Sequence, residues 1–330
     1  MDILLPFLTA DFLGKPTWIW LLFLSIVVTL LAFDLGVLHK DDHVIGVKES
    51  LLLSAGYISV AVMFGTWVWW YLGSISGMQY FTGFLIEKSL SMDNVFVIAL
   101  IFSYFAIPRE YQHRVLFWGI LGVIVLRAIM IGFGAALVSN FSWVLYIFGA
   151  FLVFTGVKMW IIADNMPDIA TNPILKFLRK RMKVTDDLHG HDFFVKKLDP
   201  QTGKVVRFAT PLFLALVLIE FVDVVFAVDS VPAIFAITTD PFIVYTSNIF
   251  AVLGLRALYF ALAAMIHRFE YLKYALSMVL VFIGSKIFLV GIIGKIPPVI
   301  SLTVTFGLIA GGVVFSMWKT RGQPAPTEAT

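Results

Sequence analysis

The chain has 330 residues, of which 60% are hydrophobic and 14% charged, with a mean hydropathy of +0.94 and a formal net charge of +3. Soluble globular domains carry roughly a quarter charged residues, so this length does not read as two soluble domains but as an all-α polytopic membrane protein. The chain has no cysteine, which excludes disulfides, thiolate metal sites and cysteine nucleophiles.

The opening MDILLPFLTADFLGKP carries Asp2 and Asp11 and lacks a basic leading region, so it does not resemble a cleaved secretory signal. Nine apolar runs near the length a bilayer core requires of a helix follow, at 17–37, 50–72, 80–106, 114–138, 141–162, 210–238, 242–266, 271–293 and 297–318. Lys and Arg in short loops mark the cytoplasmic side. With the N-terminus outside and the C-terminus cytoplasmic, seventeen of the 24 basic residues fall inside, against Lys15 and Lys295 outside and five within helices. An inner-membrane location in a bacterium is expected. The segment 163–209 is the one long polar excursion, a cytoplasmic loop with a short amphipathic helix near 172–183. Its KFLRKRMK run serves as a topology determinant or binds anionic lipid. HGHD at 189–192 is read as solvated rather than metal-binding, and the tail 319–330 as disordered.

Three landmarks recur in order. Glu87-Lys-Ser-Leu-Ser-Met-Asp93-Asn-Val aligns with Asp223-Val-Val-Phe-Ala-Val-Asp229-Ser-Val, LRAIM at Arg127 with LRALY at Arg256, and VFTGVK at Lys158 with VFIGSK at Lys286. The first copy occupies 80–162 and the second 210–293. Each spans three helices with no span between them, so the second crosses in the opposite sense: an inverted 3+3 helix repeat, a transporter signature. The first two helices and the last, 297–318, lie outside it. In the last, Gly307 and Gly311 form a small-xxx-small pattern for packing or for a homo-oligomer face.

Ionisable groups at bilayer depth are costly and face a cavity or a partner. The third helix supplies Glu87, Lys88 and Asp93, and the sixth Glu220, Asp223 and Asp229. Glu220 and Asp223 share a face, whereas Asp223 and Asp229, like Glu87 and Asp93, are turned about 120° apart on an ideal helix. Either the helix is interrupted there, as Pro232 suggests by freeing a carbonyl one turn earlier, or the acids face different neighbours. The expected ligands are Asp93, Asn94, Asp229 and Ser230, with Glu87, Glu220 and Asp223 close by. This all-oxygen set suits Mg²⁺, Ca²⁺ or Mn²⁺; Met92 would add a soft contact. Glu87 is placed outward and Asp223 inward of the midplane, as separate relays. Lys88, Arg127, Arg256 and Lys286 are the charge-balancing groups, while Lys158 and Asp34 lie near interfaces.

The motifs LIEKSLSMDNVFV, VLYIFGAFLVFTGVKMW, FVDVVFAVDSVPAIFAITTDPFIV and SNIFAVLGLRALYF resemble those of the TerC family, its Alx-type members above all, over roughly residues 15 to 318. One departure is Ser91-Met92 where Ala-Val is common. The resemblance implies a Mn²⁺ exporter, although relatives are also named for tellurite resistance and a plastid one is linked to membrane-protein insertion. The expected partners are a divalent cation, protons and the bilayer, without nucleic acid. No resident cofactor is expected, and no enzymatic activity, since no nucleophile–base pair or cofactor loop stands out.

Overall fold

The computed structural model describes residues 4–33, 46–161, 169, 172–198, 203–263, 269, 271–294 and 296–321, with the side chains of Leu4, Leu5, Asp93, Arg256 and 291–293 excepted. Eleven helices and two short hairpins occur among these residues: α1 Leu4–Thr9, β1 Asp11–Phe12, β2 Lys15–Pro16, α2 Thr17–Phe33, α3 Val47–Leu72, α4 Ser74–Tyr104, α5 Arg109–Asn140, α6 Val144–Ile161, α7 Pro173–Arg181, β3 Phe194–Leu198, β4 Val205–Ala209, α8 Pro211–Phe235, α9 Pro241–Ala263, α10 Leu272–Ile293 and α11 Pro298–Lys319. Each of the nine apolar runs carries one helix of 17 residues or more.

By length and apolarity six helices among the described residues qualify to cross a membrane: α3, α5, α6, α8, α10 and α11. A seventh does if the bent pair forming α9 is one span. The two that fall short do so for identifiable reasons. α2 has 17 residues, and α4, at 31 residues, carries Glu87, Lys88 and Asp93 in its middle. The faces are arranged for lipid. On α5, Val125, Ile129 and Phe133 repeat at the four-residue spacing of one helix face and are all more than half exposed, while Arg127 on the opposite face is 1% exposed.

Four helices build the centre. α4 packs on α9, α5 on α8, α4 on α8 and α5 on α9, with α3 against α9 outside them. Two hydrophobic clusters occupy the two ends of this bundle. One gathers Tyr80, Phe84, Ile131, Val138, Ala227, Phe235, Phe242 and Phe250. The other gathers Val95, Phe102, Val115, Leu116, Leu212, Leu218, Leu255 and Tyr259. α4 and α9 therefore run from the first cluster to the second, and α5 and α8 run the other way. Glu87 and Asp223 fall between the clusters in their helices, while Arg127 and Asn248 lie alongside residues of the first.

α6 and α10 pair closely because glycines face each other. A Cβ at Gly284 would lie 2.6 Å from the Gly149 carbonyl oxygen, and one at Gly156 would lie 2.9 Å from the Ser277 carbonyl oxygen. In α11 the small residue that meets α10 is Gly312, against Ala275. The expected Gly307 and Gly311 have no neighbour within 4 Å of their Cβ positions among the described residues.

The segment 163–209 is more structured than a loop. Asn172 caps α7 by accepting from the Ile174 backbone N–H at 2.9 Å, with Pro173 in the first turn, as the expected amphipathic helix requires. The antiparallel hairpin β3–β4, in register Phe194↔Ala209 through Leu198↔Val205, was not expected. Leu175 of α7 is 2% exposed and joins the second cluster, so the segment is docked on the bundle end. Asp34 and residues 322–330 lie outside the described residues.

Candidate functional site

α8 begins at Pro211, whose fixed φ and missing N–H suit a first helical turn. It runs unbroken past Pro232 to Phe235, and α4 is likewise continuous through 87–94. The expected interruption is absent because Pro232 lies close to the helix end, where its missing donor removes one bond without dividing the helix. The six-residue offset between the acids therefore stands, and it sends them to different neighbours.

Asp223 faces α5, where Arg127 grips it in a fork: Nη2 donates to Oδ1 at 3.0 Å and Nε to Oδ2 at 3.2 Å. The same guanidinium pairs through Nη1 with Glu87 of α4, and donates to Asn248 Oδ1 at 2.8 Å and Ser230 Oγ at 3.4 Å. Asn248 in turn donates to Glu87 Oε2 at 3.0 Å, and Asn94 Nδ2 to Asp223 Oδ1 at 3.4 Å. Four helices thus meet in one buried polar knot with two carboxylates on one guanidinium. The placement of Glu87 and Asp223 as separate relays on either side of the midplane is corrected here, since both hold Arg127.

Asp229 turns away from this knot, half-buried against α6, and accepts from Thr155 Oγ1 at 3.2 Å. The side chains of Asp93 and Arg256 are outside the described residues, so the meeting of Asp93 with Asp229 stays an expectation. Lys88 and Lys286, expected to balance the acids, reach no carboxylate among the described residues. Lys88 Nζ donates to the Ala251 carbonyl at 3.3 Å, pressed against Gly254, and Lys286 Nζ to Ser301 Oγ at 2.8 Å. Lys158 is exposed. The reason lies in helix phase: Lys88 is rotated about 100° from Glu87 and so faces the α9 backbone.

Glu220 lies one turn before Asp223 on α8. Both its carboxylate oxygens are buried, and neither has a hydrogen-bond partner among the described residues. Two glycines of α5 make the recess that holds it, since a Cβ at Gly122 would lie 2.5 Å from the carboxylate and one at Gly119 3.5 Å from Oε1. Gly119 also lines a separate cavity of about 40 Å³, together with Asn94, Asp223, Val123, Leu255 and Tyr259, among others; Glu220 itself does not line it. That is room for a water-sized body or slightly more. Asn94 Oδ1 is a further buried acceptor without a donor. Among the described residues no three acidic or histidine side chains group closely enough to cage a metal, HGHD included. Sequence reasoning named Asn94 and Glu220 but missed Asn248, whose signal was an amide in the apolar run SNIFAVLGLRALYF.

The model of the integral membrane protein TerC family matches residues 72–324, a stretch containing every residue of this knot. The chain belongs to the TerC family. Relatives at similar identity span nearly its whole length. An uncharacterized membrane protein of Myxococcus xanthus is 47% identical over 316 residues, 96% of this chain and 97% of that one. One from Rickettsia bellii is 49% identical over 298 residues, 90% and 96% of the two chains. A protein of Escherichia coli strain K12 named putative membrane-bound redox modulator Alx is 45% identical over 314 residues, 92% and 95%. No solved structure matches this TerC-family chain.

Proposed function

We propose that this chain exports divalent metal cations, Mn²⁺ foremost, across the bacterial inner membrane by alternating access, with protons returning. The observation that carries this reading is a pair of buried acceptors with no donor among the described residues: Asn94 Oδ1, whose residue lines the cavity with Asp223, and the Glu220 carboxylate, one helical turn from Asp223. Buried polar atoms are normally satisfied, and leaving them without partners is costly. A hard cation would satisfy oxygen acceptors of this kind, and Mn²⁺, Mg²⁺ and Ca²⁺ all prefer them. An incomplete ligand set also suits transport, which needs binding weak enough to release.

The inverted repeat belongs to the same reading. α4 and its sequence counterpart α8 run in opposite senses, and the helices of the two copies pack crosswise on each other. Such an arrangement lets two halves rock about a shared layer. In this mechanism the cation enters beside Glu220 and Asp223, while Asp93, Asp229 and Ser230 provide oxygens along the path as α8 moves. Nine spans, N-terminus outside and C-terminus in the cytoplasm, complete the proposal. A redox role, which the name of the Escherichia coli relative suggests for that protein, would have to proceed here without thiols.

Counter-flow of Mn²⁺ and protons in proteoliposomes tests the reading. Glu220→Gln should lower Mn²⁺ flux by roughly ten- to a hundredfold, as loss of a metal-site group does. Flux equal to wild type in Glu220→Gln and in Asp93→Asn/Asp229→Asn would overturn it. The saturation of Glu87 and Asp223 by Arg127 favours a second reading, a non-transporting assembly factor whose charged core is structural; that reading expects no Mn²⁺ flux from the purified protein at all.

A further inference from the structure

The hairpin and α7 carry a pattern that transport does not use. On one face of β3–β4 the cross-strand pairs are, from tip to base, Leu198↔Val205, Lys196↔Arg207 and Phe194↔Ala209. The tip pair is apolar and exposed, at 66% and 64%. At the base Phe194 packs on Phe213 of α8 at 4.4 Å between ring centroids, which anchors the hairpin to the first turn of that helix. Thr210 completes the anchor, its Oγ1 donating to the Asp192 carbonyl at 2.7 Å. Between tip and base two cations stand directly opposite each other. Like charges in that position destabilise a hairpin, and the described hairpin strands contain no acid to offset them. Arg207 lies over the Phe194 ring at 4.1 Å, a contact that does not neutralise it.

α7 repeats the composition on a helix. Its inner edge, Leu175, is buried in the bundle end. Phe177, on the opposite side, is 57% exposed, flanked within about 100° by Lys176, Lys180 and Arg181, with the Arg181 guanidinium 5.8 Å from its ring. Among the described residues from 172 to 209 there are nine basic side chains and three acidic ones.

We propose that this module is a docking surface for the anionic phospholipids of the protein's own bilayer: Lys196 and Arg207 share a lipid phosphate, Leu198 and Val205 enter the acyl boundary, and Phe177 inserts between the cations of α7. Charge complementarity selects the occupant, and the anchoring at Pro211 puts it within reach. Five strand residues extend about 14 Å from the start of α8, enough to cross the roughly 5–8 Å of one headgroup layer. A phosphate between Lys196 and Arg207 converts their repulsion into two charge-assisted hydrogen bonds. Opposed cations beside exposed apolar groups are the requirement for an interfacial anchor.

Because the chain has no cysteine, Leu198→Cys gives a single attachment point for a nitroxide on the full-length protein. In bilayers containing phosphatidylglycerol, the oxygen-to-nickel-chelate accessibility ratio at that label should rise several-fold over phosphatidylcholine alone. Lys196→Glu/Arg207→Glu should abolish the rise, with Lys196→Gln/Arg207→Gln replacing it if the reversal unfolds the hairpin, and Lys196→Arg/Arg207→Lys should retain it. An equal ratio in the two bilayers, or an undiminished rise in the charge-removed variant, overturns the proposal. So does a rise in phosphatidylcholine on addition of inorganic phosphate, which would mark a soluble-anion site. Mn²⁺ flux is not a readout here, so this outcome stands apart from the transport reading.

Discussion

The two sides of the central layer treat their acids differently. On the α4–α9 side Glu87 is fully engaged, by Arg127 through one oxygen and by Asn248 through the other. On the α5–α8 side Glu220 has no hydrogen-bond partner for either oxygen among the described residues. The α5 face that meets Glu220 offers Gly119 and Gly122, which carry no donor side chain, where α9 offers Glu87 the amide of Asn248. The difference teaches that buried charge in one layer can serve two ends. The saturated side fixes four helices to one another, while the unsaturated side leaves oxygen free to bind.

The saturated side should break hardest. Arg127→Leu strands Glu87 and Asp223 without their cation, and removing one member of a buried charge network typically costs ~3–5 kcal/mol. Thermal unfolding in detergent should show a large drop, with Arg127→Lys intermediate because an ammonium cannot reproduce the fork on Asp223. Next comes Glu220→Gln, whose loss of Mn²⁺ flux should occur with unfolding temperature unchanged or raised, since an uncompensated buried charge disappears. A parallel fall in stability and flux would show that Glu220 is structural like Glu87. Gly122→Ala sharpens the comparison further: its methyl would occupy the recess of a flexible carboxylate, so flux should fall several-fold while stability changes by about 1 kcal/mol or less. The smallest effect belongs to Thr155→Val, which deletes one hydrogen bond to half-buried Asp229. It should cost about 0.5–1.5 kcal/mol in the unfolding measurement and leave flux near wild type.

Much of this is legible in the sequence. Apolar runs marked every long helix, and the 120° offset between Asp223 and Asp229 already stated that one of two arrangements must hold. What stayed hidden depended on neighbours. Lys88 reads as a counter-ion because it adjoins Glu87 in the chain, yet adjacent residues on a helix face different ways. The β3–β4 hairpin left a period-two signal in FVKKL and VVRFA, masked by the surrounding charge that made the whole segment resemble a loop. Asn248 looked ordinary because an amide reveals its role only through the two groups it bridges.

By itself the sequence determined that this chain lives in a bilayer, where its helices lie, and which few ionisable groups must be kept from lipid, because transfer cost and helix periodicity are local properties. Only the tertiary structure decided that one arginine holds two acids from different helices while a third rests uncapped against glycine. Pairing depends on distances between helices, and those are set by packing rather than by the order of residues along any one of them.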